Sequence, residues 1–190
     1  VTQNGTGIND KGKVTFNGKQ NKVNGNDKNL VGTGKVTFKL DDKEYKVDVK
    51  TAETLLADKD SVAANGDDWI LAKNNTVIYT GSGDANKLTK NIVTTVINGA
   101  NKSGRTVSGF IIPEGITEIG KQAFYNRSTL TSITLPASLV TIGESAFRGC
   151  KNLNGIVFPE NSQCTSIGSQ AFLECSSLTG TITIPTKVTS

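Results

Sequence analysis

Apolar positions recur in a fixed order through the C-terminal part of the chain. Ile112-Pro113, Leu135-Pro136, Phe158-Pro159 and Ile184-Pro185 repeat with 23, 23 and 26 residues between prolines. After each of the first three comes an Ile-Gly-x-x-Ala-Phe block, at Ile119 to Phe124, Ile142 to Phe147 and Ile167 to Phe172, and Leu130, Leu153 and Leu178 each fall six residues after the Phe. Such self-similarity predicts stacked repeats, three complete units and the start of a fourth. Two patterns alternate within a unit. In Leu130 to Leu135 the L-x-x-L-x-L pattern turns Leu130, Ile133 and Leu135 inward and Ser132 and Thr134 outward, which predicts a short strand ended by Pro136. The Ile-Gly-x-x-Ala-Phe stretch predicts a single helical or 3₁₀ turn on the opposite side. One rung is then a strand plus a turn.

The length changes can be placed. Two more residues separate Pro159 from Ile167 than separate Pro136 from Ile142, which puts an insertion near Asn161-Ser162 and sets Cys164 in the slot of Ile116 and Leu139. Cys164 is therefore expected to be a buried hydrophobe. A one-residue extension near Thr179-Gly180-Thr181 accounts for the longer last interval. Cys150 and Cys175 share one repeat slot, and equivalent side chains on adjacent rungs point the same way, so reduced buried thiols are expected in place of a disulfide. Phe124, Phe147 and Phe172 are expected to form one aromatic layer per rung. The glycines of the Ile-Gly pairs are expected to permit a turn conformation costly for other residues.

Upstream of about residue 105 the repeat is lost and Lys, Asp and Asn become frequent. Gly34 to Leu40 and Tyr45 to Val49 alternate strictly around Asp41-Asp42-Lys43, which predicts a hairpin, and the string Gly-Lys-Val-Thr-Phe at Gly12 reappears at Gly34 and predicts another strand. Thr51 is a candidate cap for a helix through Ala64, ended by Asn65-Gly66. Trp69 to Lys73 and Thr76 to Thr80 predict a second hairpin around Asn74-Asn75. Leu88, Ile92, Val93, Val96 and Ile97 share one helical face, with Asp84 as N-cap and Asn98-Gly99 as terminator; the β-branched run leaves a strand open as the alternative. As a helix just before a first rung near Val107, this segment would cover the open apolar end of the stack, with Asn101 to Arg105 as linker.

The run from Ile133-Thr134-Leu135-Pro136 through Ala146-Phe147-Arg148-Gly149-Cys150 to Leu153 resembles, almost position by position, the BspA-like, Treponema pallidum type leucine-rich repeat. The resemblance covers roughly residues 107–190. It implies a short leucine-rich-repeat solenoid over 105–190; with the alternating segments upstream, which predict a small β-rich module over 1–104, the whole is an α+β chain. It also implies a surface or secreted protein of a host-associated bacterium or protist, since several members of the family are adhesins for host matrix proteins or other cells. The sequence departs from the pattern where Arg127 replaces the family cysteine and where the third unit carries its insertion. The ending at Lys187-Val188-Thr189-Ser190 without a polar capping repeat, and a start at Val1 with no Met in the chain, suggest a piece of a longer product.

Composition narrows the chemistry. The chain has 190 residues and no His, which removes the Ser-His-Asp and Cys-His catalytic designs, histidine-ligated zinc and a histidine pH switch. The formal charge of +4 lies upstream: residues 1–109 hold 16 Lys and Arg against 12 Asp and Glu, and residues 110–190 hold 5 against 5. The lysines are dispersed among Asp and Asn without interleaved aromatics, so a nucleic-acid partner is not expected. No apolar run is long enough for a membrane span. Gly81-Ser82-Gly83-Asp84 and Gly5-Thr6-Gly7 lack the phosphate-loop and dinucleotide spacings, and Asp58-Lys59-Asp60 and Asn26-Asp27 lack the Gly and Glu of a calcium loop. No catalytic residue, cofactor or metal site is expected.

These readings converge on non-catalytic recognition or adhesion at a cell surface, toward a protein such as a host matrix protein or another cell's surface. A carbohydrate-binding accessory domain of a larger secreted enzyme is the alternative, weakened by an aromatic share of 6%. The expected contact row is the set of outward strand positions: Gly109 and Ile111, Ser132 and Thr134, Gly155 and Val157, Thr181 and Thr183.

Overall fold

A computed structural model describes residues 62–189 except 82 and 180, together with the backbone of four strands upstream of them. Two compact units divide the chain, one of Val1–Ala63 with Ala72–Asn74 and the other of Ala64–Leu71 with Asn75–Ser190. The described residues are α+β, with one helix and fourteen strands.

In the first unit β1 (Thr2–Asn9), β2 (Gly12–Lys19), β3 (Lys35–Leu40) and β4 (Lys43–Asp48) form an antiparallel sheet in chain order. The predicted hairpin is β3 and β4, with Phe38 opposite Tyr45. The repeated Gly-Lys-Val-Thr-Phe string occupies β2 and β3, which pair with Phe16 opposite Phe38. Strand β1 was not legible: Thr-Gln-Asn-Gly-Thr-Gly has too few apolar residues to show an alternation. Residues 62–64, assigned to the end of the predicted helix from Thr51, and Asn65 of its terminator instead form β5 (Val62–Asn65). The remainder of that predicted helix lies outside the described residues.

The repeats of the second unit build two ladders. One sheet has the order β13–β11–β9–β7–β6–β5. Its members β6 (Trp69–Ala72) and β7 (Thr76–Tyr79) make the predicted antiparallel hairpin. Strands β7, β9 (Gly109–Ile111), β11 (Ser132–Thr134) and β13 (Ile156–Val157) run parallel, with Val77 beside Phe110, Phe110 beside Ile133 and Ile133 beside Ile156. The other sheet joins β8 (Lys87–Leu88), β10 (Glu118–Ile119), β12 (Thr141–Ile142) and β14 (Ser166–Ile167) in parallel. Each rung therefore holds two short strands, one more than predicted, because Ile119, Ile142 and Ile167 pair between rungs before the chain turns.

The Gly-x-x-Ala-Phe stretches are not helical. Along them every second N–H closes a local turn, as in Ala123 to the Gly120 carbonyl (3.1 Å) and Tyr125 to that of Gln122 (3.1 Å). The alternate N–H groups reach the next rung: Gln122, Phe124 and Asn126 donate to the carbonyls of Glu144, Ala146 and Arg148 at 3.0, 2.8 and 2.8 Å, and Ser145, Phe147 and Gly149 repeat this toward Ser169, Ala171 and Leu173. Aiming successive amides in opposite directions requires left-handed residues at fixed slots. Gln122, Ser145 and Gln170 have φ of 56, 52 and 59°, and Asn126, Gly149 and Glu174 have 56, 75 and 63°. A non-glycine residue there costs on the order of 1–2 kcal/mol, which the inter-rung hydrogen bonds offset.

The Ile-Gly glycines serve a different end from the one expected. Gly143 and Gly168 do not have positive φ; a Cβ on Gly143 would stand 2.7 Å from the Lys121 nitrogen and 2.8 Å from the Gly120 carbonyl carbon, and one on Gly168 would stand 2.6 Å from the Glu144 nitrogen. They are glycines because neighbouring backbones approach too closely for a side chain.

The helix spans Lys90–Asn101 and belongs to the first rung, in the place that later rungs give to a turn. Its N-cap is Thr89, whose hydroxyl accepts from the Ile92 amide (3.3 Å), and not Asp84, which lies in a tight turn bridged to Lys87. Val93, Val96, Ile97 and Ala100 are buried, while Leu88 sits in β8. The helix runs through Asn98-Gly99, and Gly99 lies against Trp69, where a Cβ would stand 3.1 Å from the ring; the left-handed residue beyond its end is Gly104, with φ of 81°. Because β7 and β8 already pair with β9 and β10, the ladders reach upstream of the expected 104/105 boundary.

The core is a column of rings. Phe110 and Phe124 meet edge to face at 5.1 Å, Phe124 and Phe147 stack at 5.1 Å and 11°, and Phe147 and Phe172 stack at 5.4 Å and 2°. Phe147→Ala is expected to lose about 3–5 kcal/mol, read as a lower urea midpoint at unchanged slope. Gly143→Ala is expected to lose about 1–3 kcal/mol through forced separation of two rungs; a melting curve matching the parent would show that the backbones can move apart.

Candidate functional site

The candidate face lies on the strand side of the rungs. Strand alternation turns Phe110, Ile133 and Ile156 into the core and leaves the flanking positions outward. Gly109 is the register partner of Ser132, and Ile111 that of Thr134, which in turn pairs with Val157. These residues are thus brought side by side as two rows. Ser132 and Thr134 are exposed, Gly155 is exposed just ahead of β13, and Val157 is 76% exposed.

The first rung of the expected set is different. Gly109 is buried, its missing side chain replaced by the Thr76 hydroxyl at 2.5 Å and the Ser132 hydroxyl at 3.0 Å from a hypothetical Cβ, and Ile111 is half-buried. Thr181 and Thr183 are exposed but stand outside any strand, because the extra residue of the last interval falls on the strand side of that rung. Residues 181–184 make no backbone hydrogen bond to β13, and the chain is tied back at Thr189, whose amide donates to the Thr165 carbonyl (3.0 Å).

Sequence reasoning missed that both rows continue onto β7. Thr76 pairs with Gly109 and Ile78 with Ile111. Exposure along the second row rises from 2% at Ile78 through a half-buried Ile111 to the open Thr134 and Val157. The helix lengthens this rung so that Val77 and Phe110 lie 33 residues apart, which hid β7 from a search for a 23-residue period. The Val77-Ile78-Tyr79 run before a Gly-rich turn was the available signal.

The rows carry hydroxyl and aliphatic groups and no titratable side chain, so they can hydrogen-bond and exclude water but cannot move a proton. No group of three or more His, Cys, Asp and Glu residues among the described residues could hold a metal ion. Ion pairs join successive rungs away from these rows: Lys87–Glu118 between β8 and β10 at 2.6 Å, and Lys121–Glu144 and Arg148–Glu174 at the turns at 2.9 and 3.0 Å. The Glu114 carboxylate accepts from the Ala137 and Ser138 amides at 2.7 and 3.0 Å, which ties neighbouring corners together.

The cysteines form a second column. Cys150 and Cys175 are free and buried, and each thiol donates to the carbonyl of the Phe one rung back, Phe124 and Phe147, both at 3.1 Å. Arg127 heads the column because the rung before it is helical there; its guanidinium instead donates to the Thr94 hydroxyl on the helix at 2.7 Å. Cys164 fills the slot of Ile116 and Leu139 as expected, and the Ser162 hydroxyl of the insertion accepts from its amide (3.2 Å).

A strand, a corner after Pro and a turn with a buried Phe and Cys thus recur at constant register. A family model, the BspA type leucine rich repeat region in six copies, matches residues 91–190, more than half of the chain. The chain belongs to the BspA-type leucine-rich repeat family. No curated protein is significantly similar to it. In BspA-type terms the recurring apolar slots are accounted for by packing: the Phe and Cys columns are core, and Ser132, Thr134, Gly155 and Val157 are the outward strand-side positions left open by the fold. No helix among the described residues is long and apolar enough to cross a membrane.

Burial pushes the Cys150 thiol up to about 12, with the neighbouring Cys175 adding to it, and raises Cys164 and Cys175 as well. A raised folded-state value means that unfolding releases protons above the ordinary thiol range of about 8.5. The stability contributed by Cys150 is therefore full below that range and falls as pH climbs toward about 12. The stability difference between the parent and Cys150→Ala is expected to shrink over this window in urea titrations. Iodoacetamide is expected to label none of the three cysteines in the folded protein at neutral pH and all three after unfolding.

Proposed function

We propose that this chain is a non-catalytic recognition module of a surface-exposed or secreted protein, its repeats stacked as a leucine-rich solenoid that binds another macromolecule through the outward strand rows. The partner is a protein, such as a host matrix protein or a protein on another cell. The observation that carries this reading is the pair of uncharged rows, Ser132 in one and Thr134 beside Val157 in the other, with Val157 76% exposed although the fold has no use for an apolar group there. Small hydroxyl and β-branched groups suit contact with another backbone, and the lack of charge lowers the desolvation cost. The sugar-binding alternative draws less support, since a stacking platform requires an aromatic and these rows hold none. Strands about 4.8 Å apart give these rows less than the roughly 800 Å² per partner of a standard interface. Binding by this face alone is accordingly weak and gains from additional modules.

The test is a screen of the purified chain against immobilised host matrix proteins and a glycan array. It is followed by a Ser132→Lys, Thr134→Lys, Val157→Lys triple variant whose folding is checked by circular dichroism. Loss of capture by the folded variant is expected. Unchanged capture would move the contact to the turn side or to the upstream unit, and capture by glycans alone would favour the accessory-domain reading.

A further inference from the structure

Three Asn-Gly pairs lie among the residues whose side chains are described, and the fold treats them differently. At Asn65-Gly66 the glycine amide donates to the Trp69 carbonyl (2.9 Å), and a Cβ on Gly66 would clash with the edge of the Trp69 ring. At Asn98-Gly99 the glycine lies within the helix, its amide committed to the helical ladder and its Cα side facing Trp69. Asn154-Gly155 has neither protection. Both residues are exposed, nothing lies within 4 Å of a Cβ on Gly155, and the Gly155 amide makes no hydrogen bond. The Thr131 carbonyl of the preceding rung accepts from the Asn154 amide, one residue earlier (3.2 Å). Asparagine followed by glycine is chemically labile because the following backbone nitrogen is unhindered.

We propose that Asn154 is a site of intramolecular deamidation in the folded protein, and that the same fold shields Asn65 and Asn98. The Gly155 backbone nitrogen bonds to Cγ of Asn154 and the Cγ–Nδ2 bond breaks, so that ammonia leaves with the proton from the Gly155 amide and a five-membered succinimide remains. Water then opens the ring at one of its two carbonyls, giving aspartate or isoaspartate. The sum is one amide and one water converted to one carboxylic acid and one ammonia, with no oxidant, metal or enzyme. The product ionises, placing a negative charge immediately before β13, beside rows that otherwise carry none. The isoaspartate branch also lengthens the backbone by one carbon between the hydrogen bond to Thr131 and the paired residues Ile156 and Val157.

The experiment is storage of the folded chain in mildly alkaline buffer at body temperature, followed by tryptic mapping of the peptides that hold Asn65, Asn98 and Asn154. Electron-transfer fragmentation then assigns the site and distinguishes aspartate from isoaspartate. Conversion is expected at Asn154 and not at Asn65 or Asn98, whereas in concentrated urea all three convert. Equal conversion of the three pairs in the folded protein, or an Asn154 that reacts in urea and stays intact when folded, overturns the proposal. Gly155→Ala, whose added methyl meets open space, is expected to fold normally and to lose the reaction at Asn154; persistence of the reaction would show that the free glycine is not its cause. The effect on binding rests on the proposed function. Asn154→Asp is expected to weaken capture on the matrix protein identified in the screen, and unchanged capture alongside proven deamidation counts against the ligand face and not against the modification.

Discussion

The spacing between neighbouring rungs is set by backbone hydrogen bonds, and every other regularity of the repeat conforms to it. Two parallel strand pairs per rung hold adjacent chains about 4.8 Å apart, and the intervening turn keeps that separation by sending every second amide across to the next rung. A spacing this short leaves no room for a Cβ where Ile-Gly backbones cross, forces left-handed residues into the turns, and brings flat rings into stacking contact at 5.1 and 5.4 Å. Even the cysteines obey it, since a thiol in that slot reaches a carbonyl one rung back.

Ion pairs follow the rungs without holding them. Lys87, Glu118, Lys121 and Glu144 are substantially exposed, and such pairs contribute little. Burial and backbone pairing carry the stability, which leaves the strand side free of charge. That division separates the uncharged outward strand rows from the ion-paired turns within one repeat unit.

Much of this was legible because the spacing constraint repeats. Phe124, Phe147, Leu139, Cys164 and Ile133 declared themselves core by recurring in slots, and the outward identity of Ser132, Thr134 and Val157 followed from alternation. What stayed hidden is what the rungs do to each other. The role of Gly143 depends on where Lys121 and Gly120 lie in the preceding rung, information that no local pattern contains. The turn was read as helical because apolar spacing cannot distinguish a helical turn from alternating left-handed turns. Helix capping was misplaced for a similar reason: Asn98-Gly99 looks like a stop, yet Gly99 lies inside the helix, closely packed against the Trp69 ring. The burial of Gly109 and the half-burial of Ile111 likewise depend on β7, whose 33-residue offset broke the period.

The three departures from the 23-residue length are sorted by where they fall. The helix enlarges the turn side of its rung, and the two ladders pass it undisturbed. The insertion at Asn161-Ser162 swells a corner, with Ser162 folded inward to hold the Cys164 amide, and β14 still pairs with β12. The single extra residue of the last interval falls on the strand side, and residues 181–184 form no strand there. A repeat of this kind can therefore absorb new sequence as whole loops or helices at its corners and turns, while the rung with a single extra residue on the strand side adds no strand to the sheet. Variation in such a chain is channelled away from the face on which its strand rows lie.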